Sequence, residues 1–145
     1  MALVSLQGFS ELDEMLTKLG DIPWDVTQDA LNRMASVGEN AVRSTGQAMG
    51  VRDPDSTVHI LDKVTHTKPK QTEDGGFCKV TFSGSRRRGN TVTRNAEIAF
   101  LNEYGTDHQE ARPFIRQAGE QYADEISAPG AQLVGDWMEQ TFTEG

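Results

Sequence analysis

A chain of 145 residues, 36% hydrophobic and 25% charged, is long enough to bury a core in one domain without staples. Its single cysteine, Cys78, excludes an internal disulfide framework and fits a reducing compartment; the formal net charge of −8 argues against a generic nucleic-acid coat, which needs clustered Lys and Arg. A mean hydropathy of −0.55, no apolar run near bilayer length and an opening Met1–Leu6 too short for a signal peptide lead us to expect a protein made in a cytoplasm, without a membrane partner.

The first third, 1–50, reads as helical. Residues 1–9 form a lead-in, and Ser10 with Asp13 three residues on is the pattern of a helix N-cap. Leu12, Met15, Leu16 and Leu19 follow at helical spacing until Gly20. A second helix, over 23–49, is expected to begin at Pro23, run roughly 40 Å and end at Gly50. Trp24, Leu31, Met34, Gly38, Ala41, Val42, Thr45 and Ala48 line one stripe of it, and the small residues among them invite another element to approach closely.

The middle, 57–104, reads as a β region after a turn at Asp53–Ser56. Alternation predicts a strand over 57–65, although Leu61 falls on the face opposite Val58 and Ile60. A polar loop over 66–76 and a strand over 77–83 follow. A basic loop, Gly84–Asn90, then leads to a partner strand over 91–101 in which Ile98, Phe100 and Leu101 supply bulk. These segments predict a three-stranded, mostly antiparallel sheet with long hairpin loops, covered by a helix on one face. Tyr104-Gly105-Thr106 is a turn signal, and Arg112-Pro113-Phe114 a helix entry with Pro113 in the first helical position. Over 113–142, Phe114, Ile115, Ala118, Tyr122 and Ile126 make a helical stripe; Ala128-Pro129-Gly130 predicts a break, and Leu133, Val134, Trp137 and Met138 a last short helix. The fold class is α+β in one domain.

Little in the chain points to catalysis. His59, His66 and His108 lack metal-ligand spacing and read as solvated or edge-strand residues, and Cys78 as packing inside a strand. Glu103, Asp107 and Glu110 are a weak carboxylate pair for acid–base work; an ion pair of Arg112 with Glu103 or Glu110, fixing the turn against the helix start, is the simpler reading. Glu120, Asp124 and Glu125 read as a solvated helix face, and neither Gly75 nor Gly84 opens a phosphate-binding loop. No enzyme activity, cofactor or metal is expected.

Charge is distributed unevenly. Between Lys63 and Arg94 eight basic residues stand against two acids, a balance of +6 within a chain of −8, which leaves −14 on the remainder. A basic middle and acidic ends suit head-to-tail docking between identical subunits. Arg86, Arg87, Arg88 and Arg94, with Lys68 and Lys70 in the preceding loop, are the candidate contact residues for a subunit, a partner or DNA.

The order A-E-I-A-F-L-N-E-Y-G-T (96–106), a short polar loop, then A-R-P-F-I (111–115) resembles a signature of small tail-completion and head–tail joining (neck) proteins of long-tailed bacteriophages. In that family an apolar strand, E-(Y/F)-G, a short loop, R-P-F and a helix follow one another late in a chain of about this length. The resemblance implies a virion subunit, assembled in the host cytoplasm, that forms a ring, sixfold to match the tail tube. Its partners would be head-closure (connector) proteins and tail tube or terminator proteins, with DNA passing through the channel without sequence-specific binding. It implies fold-defining rather than catalytic roles for Glu103, Tyr104, Gly105, Arg112, Pro113 and Phe114, and the 66–76 and Gly84–Asn90 loops become mobile contacts that order on docking. The competing expectation is a small DNA-binding or regulatory protein that uses the arginine loop; a hydrolase built on Cys78 or the acids is the weakest reading.

Overall fold

The computed structural model describes residues 22–51, 59–73 and 75–143. The expected lead-in over 1–9, the helix over 10–20, the turn at 53–56 and the start of the 57–65 strand lie outside them.

The long helix forms as the sequence predicts. Helix α1, Trp24–Ala48, is entered from Pro23, whose carbonyl accepts the N–H groups of Val26 and Thr27 at 3.0 and 3.2 Å. Asp25 complements the positive helix start. At the other end Gly50 adopts φ +72, donates to the Gln47 carbonyl at 3.2 Å and lets the Val51 N–H reach the Gly46 carbonyl at 2.8 Å. This paired closure satisfies two carbonyls the helix end leaves over and carries Val51, 1% exposed, into the core. The buried stripe is small: Ala30, Ala35, Gly38, Ala41, Val42, Thr45 and Gly46. A Cβ on Gly46 would sit 2.5 Å from Leu61 Cδ2 and 3.2 Å from Phe114 Cδ2, so the core closes directly over this glycine.

The expected 57–65 strand is corrected by the structure. Ile60–Lys63 form a 3-10 helix and only Val64–His66 (β1) are extended. The apolar alternation misled because Ile60 and Leu61, adjacent in sequence, are both buried; a strand would send them to opposite faces, whereas a tight turn turns both toward α1. The single three-stranded sheet is likewise replaced by three two-stranded antiparallel ribbons. In the first, β1 pairs with β4, Val80–Phe82, with Val64 opposite Phe82. The second, β2 (Lys70–Thr72) with β3 (Gly75–Phe77), forms where a loop over 66–76 was expected. A third, β5 (Ser85–Arg88) with β6 (Thr91–Arg94), occupies the expected arginine loop. Gly89 at φ +61 supplies the left-handed residue its two-residue turn requires.

The largest correction is at the apolar segment after Arg94. Residues 95–101 are not a strand: Asn95–Tyr104 is helix α2. Its buried residues are Asn95, Ala99, Asn102 and Glu103, spaced i, i+4, i+7 and i+8. That is the helical period, carried largely by polar side chains, while the bulky Phe100 and Leu101 face outward at 60% and 43% exposure.

Helix α3, Phe114–Gln121, and helix α4, Ala123–Thr143, lie on α1. The expected break at Pro129 is also corrected. The chain bends at Tyr122 (φ −110), and α4 continues through Pro129. Proline removes one helical hydrogen bond early in α4, but its neighbour Gly130 is buried against the Met34 thioether, with no room there for a Cβ. That close helix–helix contact holds the segment in line. With Phe114 beside Gly46 and Gly130 beside Met34, the α3–α4 rod runs antiparallel to α1. Phe114 and Ala118 are fully buried, and Phe114 meets Phe82 edge-to-face with ring centroids 6.0 Å apart. The architecture is mixed α+β. No helix among the described residues is long and apolar enough to cross a membrane.

Candidate functional site

The stretch that carries the phage resemblance forms a corner between α2 and α3, fastened by polar side chains. Gly105 donates to the Leu101 carbonyl at 2.8 Å and turns the chain out of α2 at φ +75 and ψ 175. Thr106 and Gln109 then exchange backbone hydrogen bonds across a tight loop, and the Gln109 amide donates to Asn102 Oδ1 at 3.1 Å. The chain re-enters beside α2, where the Arg112 N–H donates to the Asn102 carbonyl at 2.6 Å. Pro113, with φ −76 and ψ 62, is the centre of an inverse γ-turn closed by the Phe114 N–H on the Arg112 carbonyl at 2.7 Å. It therefore precedes the helix instead of occupying its first position.

Glu103 is the key to this corner. Its carboxylate, 9% exposed, accepts the Ile115 N–H at 2.8 Å on Oε2 and the Arg116 N–H at 3.0 Å on Oε1. An acid from one helix thus caps two orphan donors at the start of the next, where the helix dipole also favours negative charge. The expected pairing of Arg112 with Glu103 or Glu110 is not made. Arg112 Nη1 instead donates to the Gly50 carbonyl at 3.0 Å, just past the end of α1. The corner is thereby tied to both α1 and α3. Replacing Glu103 by Gln keeps the shape but loses the charge and one of the two acceptors; unfolding in denaturant should show a loss of about 1–2 kcal/mol. An unchanged midpoint would mean that the cap is not stabilising.

The outer side of the corner is apolar. Tyr104 is 69% exposed and lies against Phe100, ring centroids 4.7 Å apart. Glu103, Tyr104, Pro113, Ile115 and Arg116 line a hollow of about 490 Å³ beside them.

The predicted basic residues do not form one patch. Lys68 and Lys70 are exposed at the β2–β3 ribbon, which packs on α1 at its Trp24 end. The arginines belong to β5–β6, rooted where Asn95, 2% exposed, donates to the Ser83 carbonyl at 2.8 Å. Arg86 faces inward and donates to Asn95 Oδ1 at 3.1 Å. Arg87 is exposed, with Nε on the Gly89 carbonyl at 3.1 Å, and Arg94 pairs with Glu97 at 3.2 Å. Arg88 stands opposite Thr91 in the register.

The remaining candidates stay apart. His66 ends the edge strand β1, one of its two expected readings, and is half-buried there, paired through Nδ1 with the Glu39 carboxylate. His108, Asp107 and Glu110 are exposed, as are Glu120, Asp124 and Glu125. No group of His, Cys, Asp or Glu that could hold a metal ion occurs among the described residues. Cys78 lies between β3 and β4, donates weakly to the Leu31 carbonyl at 3.5 Å, and has its thiol pKa pushed up by burial. Sequence reasoning missed Asn95 and Asn102, which organise the ribbon root and the corner. Their spacing of seven, with Glu103 next, was the available signal. No known family's model, no curated protein and no solved structure matches the chain.

Proposed function

We propose that the chain is a structural virion subunit of a long-tailed phage, a neck or tail-completion protein that joins the DNA-filled head to the tail as part of a ring. The observation that carries the reading is the corner at Glu103–Phe114. Glu103, Gly105 and Arg112 of the resemblance cap, turn and anchor this corner, while Tyr104 lies exposed on its outer side with Phe100. Packed apolar rings held outside on a braced elbow are suited to being covered by another protein.

The mechanism is geometric. One surface meets the neighbouring subunit, and others meet the head-closure ring and the tail end. A net charge of −14 outside residues 63–94 fits a channel through which DNA slides without adhering. A DNA-binding reading of the ribbon has less to draw on, since Arg86 is held on the inner face by Asn95. The reading is tested with the double variant Phe100→Asp, Tyr104→Asp. Both side chains are exposed, so its melting temperature should stay within a few degrees of the parent. Supplied in place of the parent in a phage that carries this gene, it should lower the yield of infectious particles by orders of magnitude. Parent-like yields would overturn the assignment of this face.

A further inference from the structure

Beside the N-terminal half of α1, where α4 passes antiparallel to it, a groove of about 270 Å³ opens between the two helices. Val26, Leu133 and Trp137 are half-buried in it, and Asp25, Asp29 and Asp136 are exposed along it. Arg33 of the same helix answers one of these acids, Asp29, at 3.2 Å. The groove therefore offers an apolar strip with an acidic border.

The β5–β6 ribbon has the complementary surface. Its register sets Arg87 opposite Val92 and Ser85 opposite Arg94, so alternation places Arg87, Val92 and Arg94 on one face of the ribbon. The other face carries Arg86, which bonds to Asn95 and marks the side turned toward the molecule. On the outward face Val92 is 60% exposed and the Arg94 side chain 75% exposed. An exposed valine flanked by two arginines matches an apolar strip flanked by aspartates in both hydropathy and charge.

One copy cannot make this contact with itself. Strand β4 runs from Val80 beside Gly38 to Phe82 beside Phe114, which lies against Gly46. The chain thus enters the ribbon heading for the C-terminal end of α1, while the groove lies by Asp25–Asp29 at the other. Along α1 the rise from Asp29 to Gly46 separates them by about 25 Å at 1.5 Å per residue. We infer that the outward face of the β5–β6 ribbon of one copy docks in the α1–α4 groove of the next copy, a head-to-tail contact in which Val92 covers Trp137 and Leu133 while Arg87 and Arg94 meet Asp25 and Asp136. Each copy gives one ribbon and receives one, so the contact propagates until it closes on itself. It rests on the reading of the chain as a ring subunit and names the surfaces that build the ring.

Sedimentation velocity of the full chain tests it. The parent should associate with rising concentration, and less so in 0.5 M than in 0.05 M salt, since salt screens the charge pairs (the screening length falls to a few Å near 1 M). Arg87→Ser with Arg94→Ser, which disarms the ribbon, and Asp25→Asn with Asp136→Lys, which disarms the groove, should each weaken association about tenfold or more while far-UV circular dichroism stays parental. Mixed one to one, the two variants should form 1:1 dimers and stop there, because only one intact ribbon and one intact groove remain. Arg87→Lys and Asp136→Glu should keep the parental association. A parent that stays monomeric, variants that associate like the parent, or a mixture that forms no dimer each overturns the contact. A monomer that needs Arg87 to bind duplex DNA overturns it as well. None of these results changes the particles a gene deletion leaves, so failure of the contact is distinguishable from failure of the neck assignment.

Discussion

Phe114→Ala should lower the unfolding free energy by about 3–5 kcal/mol, the usual loss when a fully buried aromatic ring is removed from a core. The ring is 0% exposed, meets Phe82 edge-on at 6.0 Å, and faces Gly46 across the α1–α3 contact. The positions facing it are a glycine and a ring fixed in its own ribbon, neither of which can expand into the gap, so a cavity remains. Phe114 is also the first residue of α3, so the loss loosens the corner that Glu103 caps. Against a typical total of about 5–15 kcal/mol for a domain, this should shift the denaturant midpoint far down or leave the chain partly unfolded at 37 °C. A loss below about 1 kcal/mol would mean that α3 does not pack as described.

Gly105→Ala should be nearly as damaging, for a different reason. At φ +75 and ψ 175 the backbone lies in a region essentially reserved for glycine, which costs other residues roughly 1–3 kcal/mol. A Cβ there would also stand 2.8 Å from the Ala111 nitrogen and 2.9 Å from the Gln109 carbonyl oxygen. Both are main-chain atoms and cannot rotate aside as a side-chain tip can. The loop must open, and with it the approach of Arg112 to Asn102 and the register that brings Glu103 to the N–H groups of Ile115 and Arg116. Thermal unfolding should show a drop beyond that of Glu103→Gln. A parental melting temperature would show that the turn tolerates a side chain.

What the sequence revealed depended on how local the cause was. Helix α1 was legible because Pro23, Gly50 and a stripe of small residues mark its start, end and buried face within the segment itself. The turn at Gly105 was legible for the same reason. Helix α2 was not. Phe100 and Leu101 face outward while Ile98 packs on the core, and the buried face is completed by Asn95, Ala99, Asn102 and Glu103, so a reading that follows apolar residues misses most of it. The 3-10 helix at Ile60–Lys63 escaped because the segment alternates like a strand, while the burial of both Ile60 and Leu61 is set by the core they meet. Pro129 looked like a break because its cost is local, while the contact of Gly130 with Met34 that holds the helix straight is tertiary.

At the candidate site the residues were legible and their partners were not. Glu103 and Arg112 stood out, but the pairing of opposite charges nearby is only one use for them. The structure gives Glu103 to the N–H groups of α3 and Arg112 to the carbonyl of Gly50, 62 positions away. The arginines were visible as a run, yet only the register shows that Arg87 and Arg94 share a face with Val92 while Arg86 turns inward. The groove that fits them requires the antiparallel passage of α4 on α1, which no short segment announces.

The central claim, that this chain completes the join between head and tail, is tested most directly by electron microscopy of lysates from a phage in which the gene is deleted. DNA-filled heads beside separate tails are the predicted result: tails of normal length assign a joiner, and tails of irregular, excessive length a terminator. Intact, infectious particles would contradict the account.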